Sequence, residues 1–230
     1  MKDVEKEIYW GDESLDPFYL ERVKSLRSKV IHSTEVSGNK VLGITSATAS
    51  EGKTTVSLNL ASSIAAVSDK KVILIDGDLR KCDLTNALRL GDKDGLSDFL
   101  KKEDSKIQGI INNSKIENLH IVGSGKRMFS PSEILTKSIL KNFLSFLKEN
   151  YDIIIIDLPP VMDTADPITV KEVIDKFILV YFAGKTPMDL LEFTLNEVGP
   201  EKILGVILNG VDLRDMKKSG KYYYSYYSRQ

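Results

Sequence analysis

The sequence is poor in the residues that build cross-linked or metal-bound scaffolds. Of its 230 residues one is cysteine, Cys82, and two are histidine, His32 and His120. A disulfide framework and a cysteine-based metal site are excluded. The histidines lie far apart and are expected to be structural or exposed. Neither sign of charge is in surplus: 32 Lys and Arg against 33 Asp and Glu give a net charge of −1, which excludes a broad nucleic-acid-binding surface. Long apolar runs are missing as well. The most apolar stretch, residues 153–156, is closed at once by Asp157, whereas a membrane helix needs roughly 20 apolar residues. The N-terminus alternates Lys2, Asp3, Glu5, Lys6 and Glu7 and lacks the apolar segment of a signal peptide. A cytoplasmic protein is expected, with any membrane association supplied by a partner.

What remains is the material of one substantial α/β domain. Residues 1–17 read as an irregular N-terminal arm, residues 18–214 as the domain and residues 215–230 as a flexible tail. Phe18, Val23, Leu26, Val30 and Ile31 recur at about helical spacing, predicting an amphipathic helix to about residue 33. Residues 41–45 and 71–75 read as strands around a helix at 53–67. Two or three short helices are expected over 83–117, a strand over 119–122 and one helix from Pro131 to about residue 149. Three further strands, 152–156, 177–182 and 203–208, read as buried on both faces. A helix opened by Pro187 is expected before the last of them. Apolar strands alternating with helices predict a mostly parallel central sheet with helices on both faces, in the manner of P-loop NTPases.

Three strand ends carry the chemistry. The first runs strand, Ala47-Thr48-Ala49-Ser50-Glu51-Gly52-Lys53-Thr54-Thr55, helix. This is the phosphate-cradling pattern of glycine, four residues, then Gly-Lys-Ser/Thr, with Ala47 in the place of the first glycine, where it is expected to crowd the turn. Backbone N–H groups of Ser50, Glu51, Gly52, Lys53, Thr54 and Thr55 would face phosphates at a helix N-terminus. Lys53 would reach the β- and γ-oxygens of ATP, and the Thr54 hydroxyl would ligate Mg²⁺. The second, Asp76-Gly77-Asp78-Leu79-Arg80, places two carboxylates just past a strand, at the sheet edge where such folds bind ligands. In the third, four isoleucines end in Asp157-Leu158-Pro159-Pro160, with Asp157 expected to hold a Mg²⁺-bound water beside Thr54. Asn209 closes the last strand; it either reads the adenine edge or makes a strand-end turn. The last ten residues hold Tyr222, Tyr223, Tyr224, Tyr226 and Tyr227, five of the nine tyrosines, with no aliphatic neighbour. Five rings on a short polar terminus cannot share one core, so their hydroxyls are expected to matter.

The phosphate loop, the Asp76–Arg80 and Asp157–Pro160 segments and the tyrosine-rich end together resemble the bacterial tyrosine kinases that accompany capsule and exopolysaccharide assembly. Gly95-Leu96-Ser97-Asp98-Phe99-Leu100, Pro131-Ser132-Glu133-Ile134-Leu135 and Leu204-Gly205-Val206-Ile207-Leu208-Asn209 also read like members, so the likeness runs from about Phe18 to near the end. It implies ATP and Mg²⁺ as cofactors and the tail tyrosines as phosphorylation sites, reached in trans. Asp78 and Asp157 would hold the metal directly or through water, and Asp76 would orient the acceptor tyrosine, although the sequence does not divide Asp76 from Asp78. The family's Glu-x-x-Arg-x-x-Arg self-association motif corresponds to Glu21, Lys24 and Arg27, with lysine in place of an arginine fork. A homo-oligomeric ring follows, with a membrane activator protein that recruits the chain to the inner face of the plasma membrane and a tyrosine phosphatase that resets the tail. Departures are Ala47, Lys24, Cys82 where proline is common, and no histidine at Thr85-Asn86. Two rival readings share the fold. One is an ATP-binding scaffold of polysaccharide assembly. The other is a partition or septum-positioning ATPase, which would need a second lysine at Thr48.

Overall fold

Strand residues alternate between two cores, and that alternation sets the architecture of the computed structural model, which describes residues 17–102, 106–136 and 138–211. The seven strands are β1 (Val41–Ser46), β2 (Val72–Asp76), β3 (Ile111–Asn113), β4 (Leu119–Val122), β5 (Ile153–Asp157), β6 (Lys176–Phe182) and β7 (Ile203–Asn209). The described helices are α1 (Pro17–Ser37), α2 (Lys53–Val67), α3 (Asp83–Ala87), α4 (Leu96–Lys101), α5 (Ser132–Leu135), α6 (Ser138–Asn150), α7 (Asp166–Thr169) and α8 (Met188–Val198). In β5, Ile153 and Ile155 join Leu42, Ile44, Leu74 and Ile178 beneath α1 and α2. Ile154 and Ile156 turn the other way, to Ile73, Ile75, Phe143, Leu147 and Phe177. Each such side chain removed from water contributes about 1.5–3 kcal/mol. Burial on both faces is what the unbroken isoleucine run implies, because a sheet facing water on one side would alternate with polar residues.

The strand order is β3-β4-β2-β5-β1-β6-β7. All pairs are parallel except β3 with β4. From β1 the chain first winds to one side, through β2 and β4, and later to the other, through β6 and β7. β5 fills the gap between β1 and β2. Ligands bind in such sheets outside the C-terminal strand ends where the winding reverses. That rule selects the ends of β1, β2 and β5.

Several elements depart from the sequence reading. The segment expected as one helix from Pro131 is split into α5 and α6. The Thr136 hydroxyl donates 2.9 Å to the Glu133 carbonyl, competing with the backbone bond that would continue the helix. β3 was unforeseen, since three residues with two asparagines carry no alternating pattern. β7 is half-exposed rather than buried: it is the sheet's edge, and Val206 and Leu208 are 45% and 57% accessible. α1 runs four residues past its expected end and packs on α2, with Val30 in the same core as Leu58, Leu60 and Ile64. Among the described residues no helix is long and apolar enough to cross a membrane. Residues 1–16 of the expected arm and the tyrosine tail lie outside the described residues, while Pro17, expected to end the arm, opens α1.

Candidate active site

The loop between β1 and α2 is held from within by a buried carboxylate. Glu51 is fully buried; its Oε1 accepts the Thr48 N–H and hydroxyl, both at 2.7 Å, and Oε2 accepts the Phe182 N–H at 3.2 Å. Ser46 adds a 2.7 Å bond to the Thr48 carbonyl. Gly52 has φ of +92°, and a Cβ there would lie 2.3 Å from Asn209 Nδ2. Only glycine meets both conditions without strain. Ala47 does not have a positive φ, since among the described residues the non-glycine positions that do are Ser50, Cys82 and Arg89. The turn therefore does not require the missing first glycine. Asn209 donates 2.9 Å to the Glu51 carbonyl, which ties the end of β7 to the loop. Thus the Glu51 side chain braces the loop from behind, and Glu51 itself is absent from the cavity lining, which its neighbours Ser50 and Gly52 share.

Lys53 and Thr54 open α2, and both line a cavity of about 170 Å³ together with Asp78, Lys81 and Asp157. A 15-residue helix directs its first N–H groups into this space, a natural seat for anions. The sheet brings the acidic residues here: Ile44 and Asp76 are both register partners of Asp157, on either side of β5. Asp157 is 2% accessible. Burial pushes its carboxyl up to about 6, against the opposing effects of the Thr54 hydrogen bond, the Lys53 charge and the Ser57 hydrogen bond. Ser57 Oγ lies 3.0 Å from Asp157 Oδ1 and 2.9 Å from the Lys53 carbonyl, so its one proton serves either acceptor. Lys53 is held below the usual lysine value by burial, with Asp157 and Asp78 pulling it back.

The two carboxylates of the second motif are not equivalent. Asp78 faces the cavity, with Oδ1 accepting the N–H groups of Arg80 and Lys81 at 3.1 and 2.9 Å. Asp76 is fully buried behind it and lies outside the cavity lining. Its Oδ2 accepts the Thr85 N–H and hydroxyl at 2.8 and 2.6 Å, and its Oδ1 accepts the Asp78 N–H at 3.2 Å. Burial raises the Asp76 carboxyl to about 7, partly offset by the Thr85 hydroxyl and reinforced by the charge of Asp157. Asp76, expected from the sequence to orient the acceptor tyrosine, lies behind Asp78 and not in the cavity wall.

Sequence reasoning missed the groups that brace these residues. Thr85 was marked only as a place without histidine, and Ser57 and Ser124 carried no signal. Arg80 donates through Nε to the fully buried Asp166 at 3.0 Å and through Nη1 to the Phe129 carbonyl. Ser132 donates to the other Asp166 oxygen at 2.8 Å. A partner 86 positions away leaves no local pattern. On α1, Lys24 pairs with Glu21 on the exposed face, whereas Arg27 donates to Ser63 Oγ of α2 at 3.0 Å. The three residues expected to act together are divided between a solvent face and an intramolecular contact.

The AAA domain family matches residues 39–179, more than half of the chain. The chain is 32% identical over 208 residues to the tyrosine-protein kinase ptk of Acinetobacter johnsonii, covering 90% of this chain and 28% of that protein. It thus spans about three-tenths of that relative's length. It is 32% identical over 204 residues to the tyrosine-protein kinase YwqD of Bacillus subtilis (strain 168), covering 88% of this chain and 85% of the relative. The crystal structure of the chimerical protein CapA2B2 superposes with a TM-score of 0.80 at 28% identity, over 89% of this chain and 90% of that one. On its loop, its paired carboxylates, its sheet order and these relatives, the chain belongs to the bacterial tyrosine-protein kinase family, built on an AAA-type P-loop domain.

Proposed function

We propose that the chain is an ATP-dependent protein-tyrosine kinase that autophosphorylates Tyr222, Tyr223, Tyr224, Tyr226 and Tyr227 of a second copy in trans. The observation that carries this reading is the convergence of Lys53, Thr54, Asp78 and Asp157 in one cavity at the N-terminus of α2. The backbone from Ser50 to Thr55 cradles the phosphates, and the Lys53 ammonium neutralises the β- and γ-oxygens as charge shifts in a loose transition state. The Asn209 carboxamide oxygen reads the adenine edge while its nitrogen stays on Glu51. The Asp76–Asp78 pair orients the tyrosine hydroxyl and takes its proton late in transfer, Asp78 from the cavity wall and Asp76 from behind.

The donor set fits Mg²⁺: one hydroxyl, Thr54, and two carboxylates, Asp78 and Asp157, share the cavity. Among the described residues no group of three or more His, Cys, Asp or Glu side chains forms a complete metal cage. That suits an ion that keeps waters and shares phosphate oxygens with its nucleotide. When bound, the ion supplies charge neutralisation between the β- and γ-phosphates.

The setting we infer is capsular or exopolysaccharide synthesis and export, at the cytoplasmic face of the plasma membrane. A membrane activator protein recruits the chain, a tyrosine phosphatase resets the tail, and the kinase assembles as a ring through the exposed Glu21–Lys24 face of α1. Each phosphate adds about −1.5 to −2 charge, so a multiply phosphorylated tail repels itself and loosens the ring. The scaffold and the partition ATPase are the alternatives. The second is disfavoured by Thr48, which stands where a partner-reaching lysine would be.

The deciding experiment is phosphotyrosine mass spectrometry after incubation with Mg·ATP, on wild type and Lys53→Met. Phosphate on the tail tyrosines, absent from Lys53→Met, supports the kinase. ATP hydrolysis with no labelled tyrosine selects the ATPase switch, and nucleotide binding with neither reaction selects the scaffold.

A further inference from the structure

Behind the cavity, three buried side chains form a hydrogen-bonded file that ends at the active-site wall. Ser124, fully buried in the connection after β4, donates its N–H to Thr85 Oγ1 at 2.7 Å, and its hydroxyl lies 2.9 Å from the same oxygen. Thr85, 2% accessible on α3, passes its own hydroxyl proton to Asp76 Oδ2 at 2.6 Å and adds its N–H at 2.8 Å. Asp76 then accepts the Asp78 N–H on Oδ1 at 3.2 Å. Once Asp76 is ionised the directions follow from donor count: Thr85 has one hydroxyl proton and a carboxylate is the stronger acceptor, so its lone pairs serve Ser124.

The file joins three separate segments: the end of β2, the first turn of α3 and the connection after β4. Gly77, between the aspartates, is packed so closely that a Cβ would lie 2.8 Å from Ile156 Cγ2 and 3.0 Å from the Asp157 carbonyl. Position 77 therefore has no room for a side chain. Asp78 Oδ1 is held by the N–H groups of Arg80 and Lys81, and its backbone N–H by Asp76 Oδ1, whose carboxylate plane is set at the other oxygen by both Thr85 donors. A threonine needed only for packing would fill the same space with a methyl in place of the hydroxyl.

We propose that Thr85 is a positioning residue for phosphoryl transfer: its Ser124-supported hydroxyl fixes the Asp76 carboxylate, which in turn aims Asp78 into the nucleotide cavity. The inference rests on the kinase reading for the identity of the reaction. It concerns the geometry of one carboxylate and is tested relative to wild type.

The experiment compares Thr85→Val, Thr85→Ser and Ser124→Ala in the full chain, with the Lys53→Met chain as tyrosine acceptor. Phosphotransfer rate, affinity for a fluorescent ADP analogue and thermal stability are measured on each. Loss of one hydrogen bond to a charged group, felt at the transition state, corresponds to roughly 10- to 100-fold in rate. Thr85→Val is expected to lose that much in kcat with nucleotide affinity within about twofold, and Ser124→Ala to lose less. Thr85→Ser, which keeps the hydroxyl and drops only the methyl, is expected to recover most of the rate whatever its stability. The inference is overturned if Thr85→Val keeps its kcat while losing stability, or if Thr85→Ser falls as far as valine does. A parallel loss of nucleotide affinity and rate also overturns it, since the hydroxyl would then only hold the site together. If wild type labels no tyrosine, the kinase reading fails by itself, and ATP hydrolysis becomes the rate on which the same comparison is made.

Discussion

Replacing Asp76 by asparagine should stabilise the nucleotide-free protein at alkaline pH while impairing its chemistry. In the folded chain burial raises this carboxyl from 3.8 to about 7. The sign is opposite to that of a salt-bridged aspartate. Above pH 4 the unfolded chain gives up the proton and the folded chain keeps it, so stability falls as pH rises until the folded group also ionises near 7. A shift of about 3 units is worth about 4 kcal/mol in full, of which roughly 2–3 kcal/mol is lost between pH 5 and pH 8. Asparagine keeps an oxygen for Thr85 and carries no charge to bury. Urea unfolding at pH 5, 6, 7 and 8, in EDTA and without nucleotide, reads the effect as the midpoint concentration. Wild type should weaken steadily across this range. Asp76→Asn should be flatter and, by pH 8, more stable by about 1–3 kcal/mol, since the asparagine amide gains a new and imperfect neighbourhood. Phosphotransfer by the same variant should fall sharply. Equal pH dependence in the two proteins, or an Asp76→Asn chain less stable at pH 8, would refute the claim that burial opposes ionisation of this carboxyl more than its hydrogen bonds favour it.

Gly52→Ala should cost about 1–2 kcal/mol for a left-handed backbone alone and should displace Asn209, whose amide nitrogen lies 2.3 Å from the new Cβ; weakened binding of a fluorescent nucleotide is the readout, and unchanged affinity would count against the loop geometry. Phe143→Ala, at a fully buried ring on α6 in contact with Phe99 at 5.2 Å between centroids, should lose about 3–5 kcal/mol with little effect on nucleotide affinity, because it lies on the face opposite α2. Glu21→Ala with Lys24→Ala should lower the mass of the assembly in light scattering while leaving the monomer's thermal stability within about 0.5 kcal/mol. A stable assembly in that double variant removes the ring contact from α1.

The elements differed in how legible they were before any coordinates. α2 follows its expected bounds because glycine, lysine and a run of small and apolar residues punctuate it locally. β5 follows from four isoleucines, since no other common element buries that run on both sides. The candidate site residues were legible for a related reason: Lys53 begins α2, Asp157 ends β5, and Asp78 lies two residues past the end of β2. β7 shows where this stops. Its apolar run reads like that of β5, yet it lies at the sheet edge with Val206 and Leu208 exposed. A sequence records how apolar a strand is and leaves unsaid how many neighbours it has.

The sequence by itself determined the class of fold, the phosphate loop and the pair of acidic strand ends, because each is written in adjacent residues by local sterics and periodicity. Tertiary structure decided which of two aspartates faces the cavity, which hydroxyl supports the other, and that Arg27 turns toward its own α2. Those outcomes depend on residues that meet only when the sheet is wound. β5, inserted between β1 and β2, brings Asp157 beside Ser57 of α2, 100 residues earlier in the chain, and beside Asp76, about 80 residues earlier. Contacts of that range have no signature along the chain, since they are fixed by strand order and by the burial that accompanies it.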